Sequence, residues 1–383
     1  MARLSAVAES SGTFFGIFGA GRSGTTVLMQ VLDGSPDVWM HPVDTNYLSV
    51  WDDLVRRGEP SWPTMQNATT RPLTALDEPL PTSVLLDEFG YQWHWLEEKV
   101  LPRLSEPVER SSDPAAELRG RESYRASEFL PAFVDCTRRA YGGAGHPARA
   151  LGFKTLETPY VEDYARVFPE LRLVHIVRDP VTNYASLKRT NLLRKNMAFY
   201  GFGFDALRLF LDVRWLPHVR AAVELSRARP ERHLLVRYED LTTEPRRVIG
   251  QIAGWLGIEP PADPERLTVL GGRAMAEMRE LSSQPGVGAL TRVQANMEKR
   301  FGYTEVVTER ERALIRRCTE RYARPLGYGV NENGQVSGLR LWLQWLPPDS
   351  WERMNLHSRS RWAWEIVKRR AYVTRKLATP RAS

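Results

Sequence analysis

Cysteine is scarce here: Cys136 and Cys318 are the only two in 383 residues. Two thiols cannot make a disulfide framework or a four-ligand zinc cage, which leaves a reducing, cytoplasmic compartment as the expected home. Long apolar runs are lacking too. No stretch approaches the roughly 18 uninterrupted apolar residues of a membrane-spanning helix, and the opening MARLSAVAESSGTFFGIFG does not read as a secretory signal. Internal repeats and long low-complexity tracts are absent as well. With 42% hydrophobic and 26% charged residues, the chain has the composition of a soluble protein with an ample core.

Charge is nearly balanced through most of the sequence, and the net +7 sits at one end. From Arg340 onward ten Lys and Arg stand against Asp349, Glu352 and Glu365, a surplus equal to the whole net charge. The same tail holds Trp342, Trp345, Trp351, Trp362 and Trp364. A basic helix edged with tryptophan suits peripheral contact with an anionic membrane, and it equally suits docking onto the domain or a second subunit. No nucleic-acid-reading module accompanies the charge, so no nucleic-acid partner is expected.

Short apolar runs followed by helical spacing recur, the pattern of a mostly parallel sheet covered by helices. Four strands are expected at Phe14–Phe18, Ala150–Phe153, Leu171–Val177 and His233–Val236, with Val38–Met40 a weaker fifth. Between Trp51 and Gly145 scattered Pro, Gly, Trp and acidic residues mark an insertion over the sheet, about residues 51–148, with helical stretches near Leu85–Leu104 and Glu122–Tyr141. Thr304–Tyr322 reads as a closing charged helix, and PLGYGVNENG marks a boundary after it. The expected division is a domain over 1–335 and a basic, Trp-rich tail over 336–383.

Two segments carry chemistry. FFGIFGAGRSGTTVLMQVLDG is strand, tight turn and helix, and the turn holds Gly19, Gly21, Arg22, Ser23, Gly24, Thr25 and Thr26. Such a turn points backbone N–H groups and the positive end of a helix dipole at an anion. Gly19-x-Gly21-x-x-Gly24 formally meets the dinucleotide fingerprint, with Asp44 as the acid that NAD binding wants. The loop also has the nucleotide P-loop frame but lacks its lysine, since Thr25 and Thr26 follow Gly24. In LRLVHIVRDPVTNYASLKR a buried strand ends at Arg178, where a nucleotide hydrolase would place a magnesium-holding acid, and Ser186 stands eight residues on. A cation at that position suits direct, metal-free binding of an anion.

Together, Gly21-Arg22-Ser23-Gly24-Thr25-Thr26 after one strand and Arg178 with Ser186 after another resemble the sulfotransferase family, most closely in the style of its bacterial and tyrosylprotein members. The resemblance covers residues 13–50 and 150–330, where RYEDLTTEP and ERYARPLGYGV are similar to the family's late strand and closing helix. It implies an α/β, P-loop-like three-layer sandwich with a helical insertion and a C-terminal basic helical tail. It further implies transfer of the sulfonate of 3′-phosphoadenosine 5′-phosphosulfate (PAPS) to an acceptor hydroxyl, with no metal required. In the family the loop holds the 5′-phosphate, its basic residue, here Arg22, reaches the bridging oxygen, and the equivalents of Arg178 and Ser186 clamp the 3′-phosphate. Tyr238 is an adenine-contact candidate, and Ser282 and Ser283 fall where some members hold the cofactor.

Lys154, in the strand-end sequence GFKT, matches a lysine that some members place beside the sulfonate. A base near the acceptor hydroxyl would assist attack. The family's glutamate position counts to Val43 here, so the candidates are its neighbours His41 and Asp44, of which His41 is preferred, with His94 and His146 in reserve. Trp51, Trp62, Trp93 and Trp95 could face a sugar or phenol, though core packing is the default role of any one tryptophan. The acceptor could be a carbohydrate, a glycolipid or a phenol. The rival readings are an NAD(P)-binding oxidoreductase built on the glycine loop, and a non-catalytic scaffold on a nucleotide fold.

Overall fold

The computed structural model describes residues 12–61, 71–142, 148–193, 204–274, 292–293, 306–328 and 359–378. Five strands form one sheet: β1 (Thr13–Phe18), β2 (Val38–Asp44), β3 (Ala150–Thr155), β4 (Arg172–Val177) and β5 (His233–Arg237). All neighbours are parallel, in the order β2-β3-β1-β4-β5. All five expected strands are present, and β2 runs four residues further than its apolar core suggested. Near-continuous apolar sequence is what a strand buried on both faces requires.

Residues alternate between two cores, one on each face of the sheet. Phe18, Trp39, Leu151, Phe153 and Leu173 belong to one, and Phe15, Ile17, Val38, Met40, Val174, Ile176 and Val236 to the other. The second core is covered by α1 (Thr25–Leu32) and by α8 (Pro245–Leu256). The first is covered by α2 (Tyr47–Arg57), by the insertion and by α5 (Val161–Val167). This is the three-layer arrangement that the sequence pattern implied.

The insertion contributes α3 (Thr82–Phe89) and α4 (Ala126–Tyr141). The expected helix over Leu85–Leu104 is interrupted at Gly90, resumes at Tyr91–Trp95, widens at Leu96–Val100 and closes in a tight turn at Leu101–Arg103. Pro102 lacks the N–H that would continue it. Trp51 and Trp93 are buried, and their indoles donate to the Glu78 carbonyl (3.2 Å) and the Thr137 hydroxyl (2.8 Å). They are core residues. Trp62 lies outside the described residues.

Two buried carboxylates tie distant segments to the sheet. Glu157, just after β3, accepts from the Leu48 and Ser49 N–H groups (3.1 and 2.8 Å) and from the Ser49 and Tyr164 hydroxyls. It caps the first turn of α2, and burial raises its carboxyl above the usual range. Asp33, after α1, accepts from the N–H groups of Met40 (3.3 Å), Gly271 (3.1 Å) and Gly272 (2.9 Å), and burial pushes it up to about 6 against those donors.

The chain divides into two units, Met1–Val177 with Ala221–Ala295 and Arg178–Arg220 with Asn296–Ser383. The second contains α6 (Pro180–Leu193), α7 (Phe204–Leu209), α9 (Glu309–Ala323) and α10 (Arg359–Ala378). The helix expected over Thr304–Tyr322 is α9, opened by Thr308 and Glu311 in a reciprocal capping box. Within this unit Lys188 and Glu311 form a buried pair at 2.8 Å, joined by the Tyr184 hydroxyl at 2.9 Å. α10 docks through Tyr372 and Lys376, both held by Asp212 at 3.2 and 2.5 Å, so docking onto the chain itself is the arrangement found for this part of the tail. No described helix is long and apolar enough to cross a membrane.

Replacing Glu157 by Ala removes an acceptor from four donors in the interior and should lower the unfolding free energy by about 2–4 kcal/mol. Chemical denaturation of wild type and variant measures this, with a lower midpoint and an unchanged slope as the expected result.

Candidate active site

The strand order reverses direction around β1: β2 and β3 lie to one side of it, β4 and β5 to the other. Ligands of open parallel sheets bind at the carboxyl edge where this happens. β1 ends there at Phe18 and the chain enters the glycine turn, in which the Ser23 N–H returns to the Ala20 carbonyl at 3.0 Å. Arg22 (φ 72°) and Gly24 (φ 100°) take left-handed conformations. For arginine that is a sparsely populated state of the kind found at functional turns.

Gly24 is required for a second reason. A Cβ there would collide with the Tyr238 ring, which lies against the loop. Tyr238, buried directly after β5, is therefore a floor for the turn. Gly24 leaves α1 without a side-chain cap, and the first turn of that helix carries no acidic residue. Its leading N–H groups thus remain available to an anion. The Ser23 Oγ is buried and has no partner among the described residues.

Register brings the next groups to the same edge. Lys154 of β3 pairs with Ile17 of β1 and with Asp44 of β2. An irregularity between Met40 and Asp44 lets β2 spend four residues where β3 spends two, and this carries Asp44 opposite Lys154. The buried Lys154 ammonium lies 2.5 Å from the Asp44 carboxylate and donates to the Thr26 Oγ1 at 2.8 Å. Asp44 is 46% exposed. One cation thus joins the loop, β3 and the end of β2.

His41 lies apart from them. It is 1% exposed, its Nε2 is 2.7 Å from the Gln92 Oε1, and its ring packs on Phe133. Burial lowers its pKa to about 4, with the Gln92 hydrogen bond and Asp44 opposing the shift. His94 is exposed and pairs with Glu98 at 2.9 Å. His146, Ser282 and Ser283 lie outside the described residues.

In the second unit Arg178 directly follows β4, is 4% exposed, and its carbonyl accepts from the Trp215 indole at 3.0 Å. Asp179 caps α6, accepting from the Val181 and Thr182 N–H groups (both 3.0 Å) and pairing with Arg316 at 2.5 Å. Ser186 is 1% exposed on the same helix.

The model of the sulfotransferase family matches residues 15–263, more than half of the sequence. The chain belongs to the sulfotransferase family. With that assignment this sulfotransferase is an enzyme of sulfonate transfer, and the oxidoreductase and scaffold readings fall away. Among solved structures it is similar to the sulfotransferase domain of the curacin biosynthetic pathway, at 14% identity over 84% of this chain and 99% of that one, TM-score 0.46. It is also similar to the sulfotransferase domain of the Synechococcus PCC 7002 olefin synthase, at 16% identity over 84% and 97%, TM-score 0.44. A third is retinol dehydratase in complex with retinol and PAP, at 14% identity over 82% of each chain, TM-score 0.38. No curated protein matches.

Sequence reasoning missed two residues of the site's surroundings. Gln92 fixes His41, and Tyr91, whose ring is largely exposed, has its hydroxyl pKa raised by partial desolvation of that group and then by the neighbouring Glu88 and Asp44 carboxylates. No periodicity singles out either one.

The depressed pKa of His41 has a stability consequence. As pH falls through about 6.5 the unfolded chain takes up this proton first, while the folded chain resists until about 4. Stability from this residue is therefore intact above pH 6.5 and lost progressively down to pH 4, by up to about 3 kcal/mol. Denaturation of wild type and His41→Gln at pH 7, 5.5 and 4 should show the wild type losing that much more than the variant.

Proposed function

We propose that this sulfotransferase takes sulfonate from PAPS and passes it to an acceptor hydroxyl at the carboxyl edge of the sheet, releasing 3′-phosphoadenosine 5′-phosphate (PAP). The observation that carries the reading is the Lys154 ammonium, 2.8 Å from a hydroxyl of the glycine loop and 2.5 Å from a half-exposed carboxylate. An anion on the uncapped turn would meet this cation on the side from which an acceptor, steered by Asp44, would approach.

In this scheme the loop N–H groups with Ser23, Thr25 and Thr26 hold the 5′-phosphate, and Arg178 and Ser186 hold the 3′-phosphate. The acceptor oxygen attacks sulfur in line, and the sulfur–oxygen bond to the phosphate breaks with its electron pair leaving on PAP. Charge grows on the bridging oxygen and on the sulfonate oxygens. Arg22 and Lys154 meet it, because preorganised cations act on developing charge without reorganising. The acceptor's proton goes to Asp44. That role suits Asp44 better than His41, whose Nε2 is engaged by Gln92 and whose ring is buried. Tyr91 offers an exposed ring near Asp44 to a sugar or a phenol, which favours a carbohydrate, glycolipid or phenolic acceptor. Outward Lys368, Arg370 and Arg375 on α10 suit peripheral contact with an anionic surface.

Calorimetry with PAP in metal-free buffer containing a chelator tests the donor site. Wild type should bind, and Arg178→Ala should bind ten- to a hundredfold more weakly, the range expected for losing a charged hydrogen bond. Failure of the folded wild type to bind PAP would sink the donor assignment. For the base, Asp44→Asn should lower kcat by about 10²–10⁴ with PAP affinity kept within a few-fold. Undiminished turnover in that variant would move the base elsewhere.

A further inference from the structure

Asn183 takes no part in the scheme above, and its surroundings are unusual. It lies on α6, five residues after Arg178 and three before Ser186, so that it shares a helix face with Ser186. Its side chain is 0% exposed, yet neither its Oδ1 nor its Nδ2 has a hydrogen-bond partner among the described residues. Polar neighbours on the helix are engaged: Asp179 caps it, and Tyr184 and Lys188 meet Glu311. A buried carboxamide with both ends unsatisfied is a cost that a leucine of similar size would avoid. Such a group is explained by something it binds.

We infer that Asn183 reads the ribose of the donor nucleotide: its Nδ2 donates to the 3′-phosphate, and its Oδ1 accepts from the adjacent 2′-hydroxyl. This rests on the PAPS reading and adds a specificity residue to it. The chemistry selects the pairing. A phosphate supplies acceptors, a cation such as Arg178 supplies donors alone, and the 2′-hydroxyl beside that phosphate needs an acceptor in order to donate. The carboxamide offers both kinds of group from one planar end. Its place within a turn of Ser186, and shortly after Arg178, puts it with the two residues assigned to the 3′-phosphate. The consequence is discrimination between ribo- and deoxyribonucleotides.

The test is calorimetric binding of PAP and of 2′-deoxyadenosine 3′,5′-bisphosphate to wild type, Asn183→Leu and Asn183→Ala, with thermal unfolding of each ligand-free protein. Wild type should bind the deoxy compound about tenfold more weakly. Both variants should bind the two compounds alike within about twofold, with PAP weakened about tenfold or more. Ligand-free Asn183→Leu should unfold at a higher temperature than wild type, since an unsatisfied amide has been replaced by apolar contact. A lower unfolding temperature would show that the amide has a structural partner, and would overturn the inference. So would a tenfold preference for PAP that survives in the variants. If the variants instead lose preference for PAP over its inosine counterpart, the amide reads the base and the ribose assignment fails. Absence of PAP binding to folded wild type would sink the donor reading and this inference with it. Tight PAP binding indifferent to the 2′-hydroxyl would sink this inference alone.

Discussion

A buried ammonium organises the carboxyl edge of this sheet. Lys154 is 5% exposed and could not sit there as a charge without partners, because removing an ion from water costs several kcal/mol unless opposite charge and hydrogen bonds replace the lost hydration. Asp44 supplies the charge and Thr26 a hydroxyl. Each comes from a different part of the chain, so the energetic requirement of one side chain holds β2, β3 and the start of α1 in register at the place where the sheet's topology opens a binding edge. The irregularity in β2 meets the same demand, for without it Pro42 would stand opposite the cation.

The glycine turn shows how tertiary packing supports a local conformation. Arg22 and Gly24 take left-handed backbone in the turn, and the missing side-chain cap on α1 leaves the first N–H groups of that helix unspent. The Tyr238 ring fills the space where a side chain at position 24 would stand, so the turn is supported from β5, the far strand of the sheet. The helices that start at Thr308 and Asp179 show the other solution, with their first N–H groups satisfied by their own side chains. The start of α1 is left open where these two are closed.

Around this edge the insertion does structural work. Tyr47, Phe89, Phe129 and Phe133 form a continuous aromatic core with Trp51 and Trp93, and His41 is absorbed into it. The histidine is held neutral by the same burial that takes its ring away from solvent. Glu157 and Asp33 fasten the edges of that construction by collecting backbone N–H groups from segments far apart in sequence, as a buried carboxylate must.

Much of the fold was legible in the residues themselves. Five apolar runs, each too short for a helix and each followed by helical spacing, could become little other than a parallel sheet between helices, and the glycine turn and the Arg178–Ser186 spacing carried the resemblance to the family that the chain belongs to. Period and turn chemistry are short-range properties, and short-range properties survive in a string of letters. What tertiary structure alone decided was adjacency across the sheet. That Asp44, and neither Val43 nor His41, meets Lys154 depends on a register shift between strands about a hundred residues apart. That Trp51 and Trp93 are core, that Tyr238 supports the loop and that Asn183 is buried with no partner among the described residues are likewise matters of which faces meet. Such facts arise from long-range packing, where one residue of register or one rotation of a helix exchanges an interior side chain for an exposed one.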